Sequence, residues 1–157
     1  MYHKIAEELQ SLLRGKKLTL ATAESCTGGA IAATLTAIPD ASHHFLGAVV
    51  AYSNEMKQDL LKVSSTLLEK QGAVSPDVAV AMWKGILSVT HADYAIAVTG
   101  IAGPTGGTSK KPVGTVWAAV GKRGKEPEVW NVDASGSRTE IIDQTVDAVL
   151  VALRNMI

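Results

Sequence analysis

Apolar side chains at Ile5, Leu9, Leu12 and Leu13 recur at i, i+4, i+7 and i+8, and predict a first amphipathic helix that stops at Gly15. The rhythm then shortens. "KKLTLATAE" (16–24) reads as a strand, and the small-residue run "GGAIAATLTAI" (28–38) as a helix ending before Pro39. "FLGAVVAYS" (45–53) is a continuous apolar run and predicts a buried strand. "NEMKQDLLKV" follows as a short helix opened by Ser53 or Asn54, and "SSTLLEKQG" as another helical turn closed by Gly72. In "SPDVAVAMWKGILSVTH" (75–91), Ser75 is a cap, Pro76 sits at the first helical position and Asp77 in the first turn. That helix is apolar on most faces and should be largely buried.

"ADYAIAVTG" predicts a second buried strand, and "IAGPTGGTSKKP" a long Gly/Pro loop. "VGTVWAAVGKR" and "PEVWNVDA" form an antiparallel hairpin turned at Gly124. A last helix starts near Ser137, with Ile141, Ile142, Val146, Val149, Leu150 and Leu153 inward. Strands and helices alternate and then give way to a hairpin, which predicts a three-layer α/β domain with a mixed sheet.

Composition narrows this picture. A chain of 157 residues is expected to form one domain, 1–157. Fifteen basic residues balance fifteen acidic ones, so nothing favours nucleic acid or an anionic membrane as partner, and the few aromatics offer no stacking platform for single strands. A single cysteine, Cys26, rules out an intramolecular disulfide and suits a reducing compartment. The N-terminus carries charges where a signal peptide would be apolar, and no apolar run is long enough to span a bilayer, so a cytoplasmic location is expected. His3, His43, His44 and His91 show no ligand-like spacing, so no metal is expected, and "HH" (43–44) reads as a loop with solvated imidazoles. Apolar positions on the long helices, Trp83 among them, fit a homo-oligomer or a core equally well.

In an open α/β sheet, ligands bind beyond the carboxyl ends of the strands. Three polar loops fall at such ends: "AESCTGG", "YSNEMK" and "TGIAGPTGG". In the first, Ser25 or Thr27 either caps the following helix or carries chemistry at a helix start that favours an anion. Cys26 has no histidine partner nearby and reads as a packed thiol. In the second, Lys57 lies one turn into a helix. It is either an ordinary solvated lysine or a desolvated one able to act as a base. The third carries four glycines between Gly100 and Gly107 but matches neither a Walker A loop nor GxGxxG before a helix. It remains a backbone-rich loop able to cradle phosphate or ribose, with Lys110 or Lys111 adding charge. Arg138, at the start of the last helix, suits a phosphate or carboxylate, or pairs with Glu140.

Taken in order, "TAESCTGG", "VAYSNEMKQDLLKV", "GAVSPDVAVAMWKG", "ADYAIAVTGIAGPTGG" and "KPVGTVWAAV" resemble the CinA C-terminal domain, the family of the nicotinamide-nucleotide amidohydrolases (NMN deamidase, PncC). The similarity runs from about residue 3 to residue 153. The resemblance implies a three-layer α/β/α sandwich and hydrolysis of nicotinamide mononucleotide to nicotinate mononucleotide and ammonia, without metal or other cofactor. Larger CinA proteins carry a further N-terminal domain, and the length of this chain suggests a stand-alone deamidase. The family's serine and lysine fall on Ser25 and Lys57, with Tyr52 beside them.

On that basis Ser25 attacks the carboxamide while Lys57 takes its proton, directly or through Tyr52. Amides of Thr27, Gly28 and Gly29 receive the oxyanion. Thr99, Gly100, Gly103 and Arg138 hold ribose and phosphate. Thr27 and Thr99 are the reserve nucleophiles. Glu24 is assigned to the substrate side, where it orients Lys57 or a substrate hydroxyl, or else only braces the loop. Many members read Gly-Asp-Arg where this chain has Gly136-Ser137-Arg138. The competing reading is a non-catalytic nucleotide-binding or interaction module of the competence-damage-inducible type.

Overall fold

The computed structural model describes residues 2–157. The chain runs α1 (Tyr2–Lys16), β1 (Leu20–Glu24), α2 (Ala30–Thr36), a 3-10 turn (Ala41–His43), β2 (Phe45–Val50), α3 (Asn54–Leu61), α4 (Ser65–Gln71), α5 (Pro76–Thr90), β3 (Tyr94–Gly100), β4 (Val116–Lys122), β5 (Glu128–Asn131) and α6 (Arg138–Met156). Five strands form one sheet in the order β2-β1-β3-β4-β5. β1 pairs parallel with both β2 and β3, whereas β4 runs antiparallel to β3 and β5. The sheet is mixed and the architecture is a three-layer α/β/α sandwich.

Alternation along β1 and β3 separates two cores, because successive side chains of a strand point to opposite faces. Leu20, Ile96 and Val98 pack with Leu9 and Leu13 of α1, Ile31 of α2 and Val149 and Leu150 of α6. Ala21, Ala23, Ala95 and Ala97 face Val78, Met82 and Ile86 of α5 and Leu61 of α3. The alanines let α5 lie close to the sheet. Gly85 does the same between helices, since a Cβ there would fall 2.8 Å from the Leu61 carbonyl carbon. Trp83, which fitted an oligomer face or the core equally well, is buried in this second core and donates its indole N–H to Ala95 O at 3.1 Å.

Four local expectations are confirmed by cap geometry. Ser53, Ser75 and Ser137 each cap a helix by accepting a backbone N–H, and Gly72 closes α4. Three others are corrected. Helix α1 passes through Gly15, and the left-handed residue that ends it is Lys17 at φ 54°. β2 is a sheet edge rather than a buried strand, with Leu46 and Val50 exposed. An apolar run reads the same in both positions. His44 is not a solvated loop residue: it is 2% exposed, and burial lowers its pKa, helped by the charges of His43 and Arg14. Among the described residues, no helix is long and apolar enough to cross a membrane and no group of three His, Cys, Asp or Glu is placed to hold a metal ion.

Candidate active site

Parallel pairing brings the ends of β1, β2 and β3 level. Glu24 lies opposite Val50 on one side and Val98 on the other. Two backbone bonds extend that register by one residue: Ala51 N–H donates to Glu24 O at 2.8 Å and Ser25 N–H to Val98 O at 3.1 Å. The loops after the three strands therefore converge on Ser25, beside a cavity of about 300 Å³. Ser25, Cys26, Tyr52, Asn54, Lys57, Thr99, Gly100, Gly103, Thr105 and Arg138 are among the residues that line it.

Lys57 enters from the first turn of α3, which Ser53 caps by accepting Met56 N–H at 3.1 Å. Only 1% of the lysine is exposed. Its Nζ lies 2.9 Å from Ser25 Oγ and 3.2 Å from Tyr52 O. No carboxylate forms an ion pair with it among the described residues. Burial lowers its pKa, because the ammonium form would lose its hydration. A Cys26 thiolate would oppose that shift, but burial pushes the Cys26 thiol up to about 12, so at neutral pH it stays an uncharged packed thiol. The result is a lysine biased toward the neutral amine, in contact with one hydroxyl.

Arg138 reaches over the other side of the cavity. It donates from Nη1 to Gly103 O at 2.8 Å and from Nη2 to Tyr52 Oη at 2.9 Å. Ser137 seats it there through a capping box with Glu140. Gly100 is held against β4, where a Cβ would lie 2.7 Å from Thr115 O.

A family model described as the CinA C-terminal domain matches residues 2–157. The chain belongs to the CinA C-terminal domain family. A CinA-like protein of Pseudothermotoga lettingae is 51% identical over 116 residues, which is 74% of this chain and 29% of that protein. The chain thus spans less than a third of the length of such curated relatives. Among solved structures, competence damage-inducible protein A (ComA) of Klebsiella pneumoniae superposes with a TM-score of 0.94 at 38% identity, covering 98% of this chain and 95% of that one. The competence/damage inducible protein CihA of Agrobacterium tumefaciens gives 0.95 at 38% identity, covering 99% and 96%.

Within this CinA domain the structure brings Ser25, Lys57, Tyr52, Thr99, Gly100, Gly103 and Arg138 to one cavity and places four expected residues differently. Glu24 is fully buried, and its carboxylate turns into the first turn of α2 rather than toward substrate or Lys57. The Thr27 hydroxyl donates to Glu24 Oε2 at 2.6 Å, which removes it as a reserve nucleophile. Gly28 N–H is bound to Ser25 O and Gly29 N–H to Glu24 Oε2, so neither amide is available to an oxyanion. The Tyr52 hydroxyl faces Arg138, and only its main-chain carbonyl touches Lys57, so no proton relay runs through the phenol. Thr99 donates to Ala73 O at 2.7 Å. Asn54 and Thr105 line the cavity although neither stood among the candidates. Their only sequence signal is membership of the same two strand-end loops.

Proposed function

We propose that this CinA domain is a nicotinamide-nucleotide amidohydrolase, releasing ammonia from the carboxamide of nicotinamide mononucleotide through a Ser25–Lys57 dyad. The observation that carries the reading is the 2.9 Å contact between Ser25 Oγ and a lysine with no carboxylate partner, buried on the rim of a cavity. A neutral amine at that distance can take the serine proton as Oγ attacks the carboxamide carbon. The tetrahedral intermediate then expels ammonia, which leaves with the proton returned by Lys57. Water hydrolyses the acyl-serine in the same way: Lys57 takes its proton and hands it back to Oγ. The Tyr52 carbonyl keeps Nζ pointed at the serine throughout.

The arginine and the glycine loop support a phosphorylated substrate. Arg138 is the cation of the cavity rim beside Gly103, and a guanidinium fork suits a phosphate. Ammonia release should therefore be much faster from nicotinamide mononucleotide than from its riboside or from free nicotinamide. Ser25→Ala and Lys57→Ala should each lower kcat by 10³-fold or more, roughly the scale on which acting units fail together. Near-normal turnover in either folded variant refutes the dyad. Relatives named for competence and damage induction favour a second reading, a nucleotide-binding module without turnover. Binding of the mononucleotide with no ammonia released, by the unaltered chain, would establish that reading instead.

A further inference from the structure

Helix α2 begins at a residue that cannot cap it. Its N-cap is Gly29, at φ 99°, with no side chain to accept the first amides. The missing acceptor comes from five residues upstream. Glu24 Oε2 accepts from Thr27 Oγ1 at 2.6 Å, Gly29 N at 3.1 Å and Ile31 N at 3.1 Å, and Oε1 from Ala32 N at 2.9 Å and Thr22 Oγ1 at 3.3 Å. Five donors converge on one carboxylate that has no exposed surface and no ion-pair partner among the described residues. The helix start itself supplies the compensating positive potential.

This arrangement ties the strand to the helix across a bend that contains Ser25. The serine is fixed on the sheet side by its own amide on Val98 O and by Ala51 N–H on Glu24 O. On the helix side it is fixed by Gly28 N–H on Ser25 O and, one residue away, by the Glu24 carboxylate. We infer that Glu24 is a positioning residue for the nucleophile: by serving as the internal cap of α2 it sets where Ser25 Oγ stands relative to Lys57. The inference rests on the dyad reading above. It explains why an acid sits fully buried in this bend. Glutamine has the same shape but only one accepting oxygen. Whichever way its amide turned, the NH₂ would face either the three donors on Oε2 or the two on Oε1.

The test is Glu24→Gln, with Thr27→Val beside it, each examined for ammonia release from nicotinamide mononucleotide, for thermal unfolding and by crystallography. At a temperature where the variant is fully folded, kcat should fall about 100-fold, the cost of about 1 Å of misplacement. KM should stay within about twofold, because no substrate contact is lost. The Ser25 Oγ–Lys57 Nζ separation should open beyond hydrogen-bond reach. Thr27→Val, which removes one donor of five, should lower kcat about tenfold with the same KM. A folded Glu24→Gln that keeps kcat within about threefold, or that keeps the 2.9 Å contact, overturns the inference. If that variant does not fold, the same outcomes in Thr27→Val decide. If the unaltered chain releases no ammonia, the amidohydrolase reading fails on its own, and the Ser25–Lys57 separation in the variants still decides the role of Glu24.

Discussion

At Lys57 an amine with 1% of its surface exposed sits 2.9 Å from Ser25 Oγ and, among the described residues, forms no ion pair with a carboxylate. Burial favours its neutral form, so the folded chain holds fewer protons there than the unfolded chain. The lowered pKa of a base means that unfolding takes up a proton, and stability is lost as pH falls below the unfolded lysine value near 10.4. At neutral pH the residue therefore opposes folding. Lys57→Met, apolar and similar in length, should stabilise the chain by roughly 0.5–2 kcal/mol while removing turnover. Denaturant melts of the two chains at pH 7 measure this. A less stable Lys57→Met would mean that the contacts with Ser25 and Tyr52 outweigh the cost of burial. On the proposed dyad, whose base is the amine, the rate should rise with pH across the lowered lysine pKa.

At the scale of the element, the helix starts decide where functional groups stand. Helices α3 and α5 start at serines, Ser53 and Ser75, that cap them in the ordinary way, and both were legible from the local sequence. The capping box of α6 does more, because Arg138 is the first residue of that helix. Ser137→Ala should cost about 1 kcal/mol of stability and loosen the arginine, raising KM more than it lowers kcat. Ser137→Asp should leave both nearly unchanged, because an aspartate caps as well as a serine. Steady-state kinetics on the pair check it; an unaltered KM in Ser137→Ala would separate the cap from the site. The start of α2 was not legible in this way. Its cap lies five residues back, on the preceding strand, and no local pattern links a strand glutamate to amides beyond a Gly-Gly pair.

Across the whole molecule, the rule that ligands gather at the carboxyl ends of parallel strands located the cavity from sequence, because it depends on chain order and not on detail. What sequence left undecided depends on neighbours far along the chain. The Tyr52 hydroxyl points where it does because Arg138, 86 residues away, meets it. β2 lies at the edge because the strands order as β2-β1-β3-β4-β5, which its apolar run does not encode. His44, at the far end of the sheet, is buried because the turn before β2 folds it inward, and its Nδ1 has no hydrogen-bond partner among the described residues. As its pKa is lowered, stability is intact above the unfolded value near 6.5 and falls as pH drops through it toward the folded value. Between pH 7.5 and 5.5 (approximate limits), His44→Phe should lose less Tm than the unaltered chain, by roughly 2–4 °C. Parallel pH-dependent melts would show no difference if His44 were solvated.

Ser25, Lys57, Thr99 and Arg138 are among the side chains that line the cavity. These four lie far apart along the chain and arrive in order during synthesis. A nascent chain that has placed the nucleophile and the lysine still lacks the arginine until α6 has emerged and docked on α1 and the sheet. Loss of α6 by proteolysis would likewise leave the cavity without its arginine while Ser25 and Lys57 are both present. Placing one rim residue on the last helix makes completion of the fold the condition for assembling the whole cavity lining.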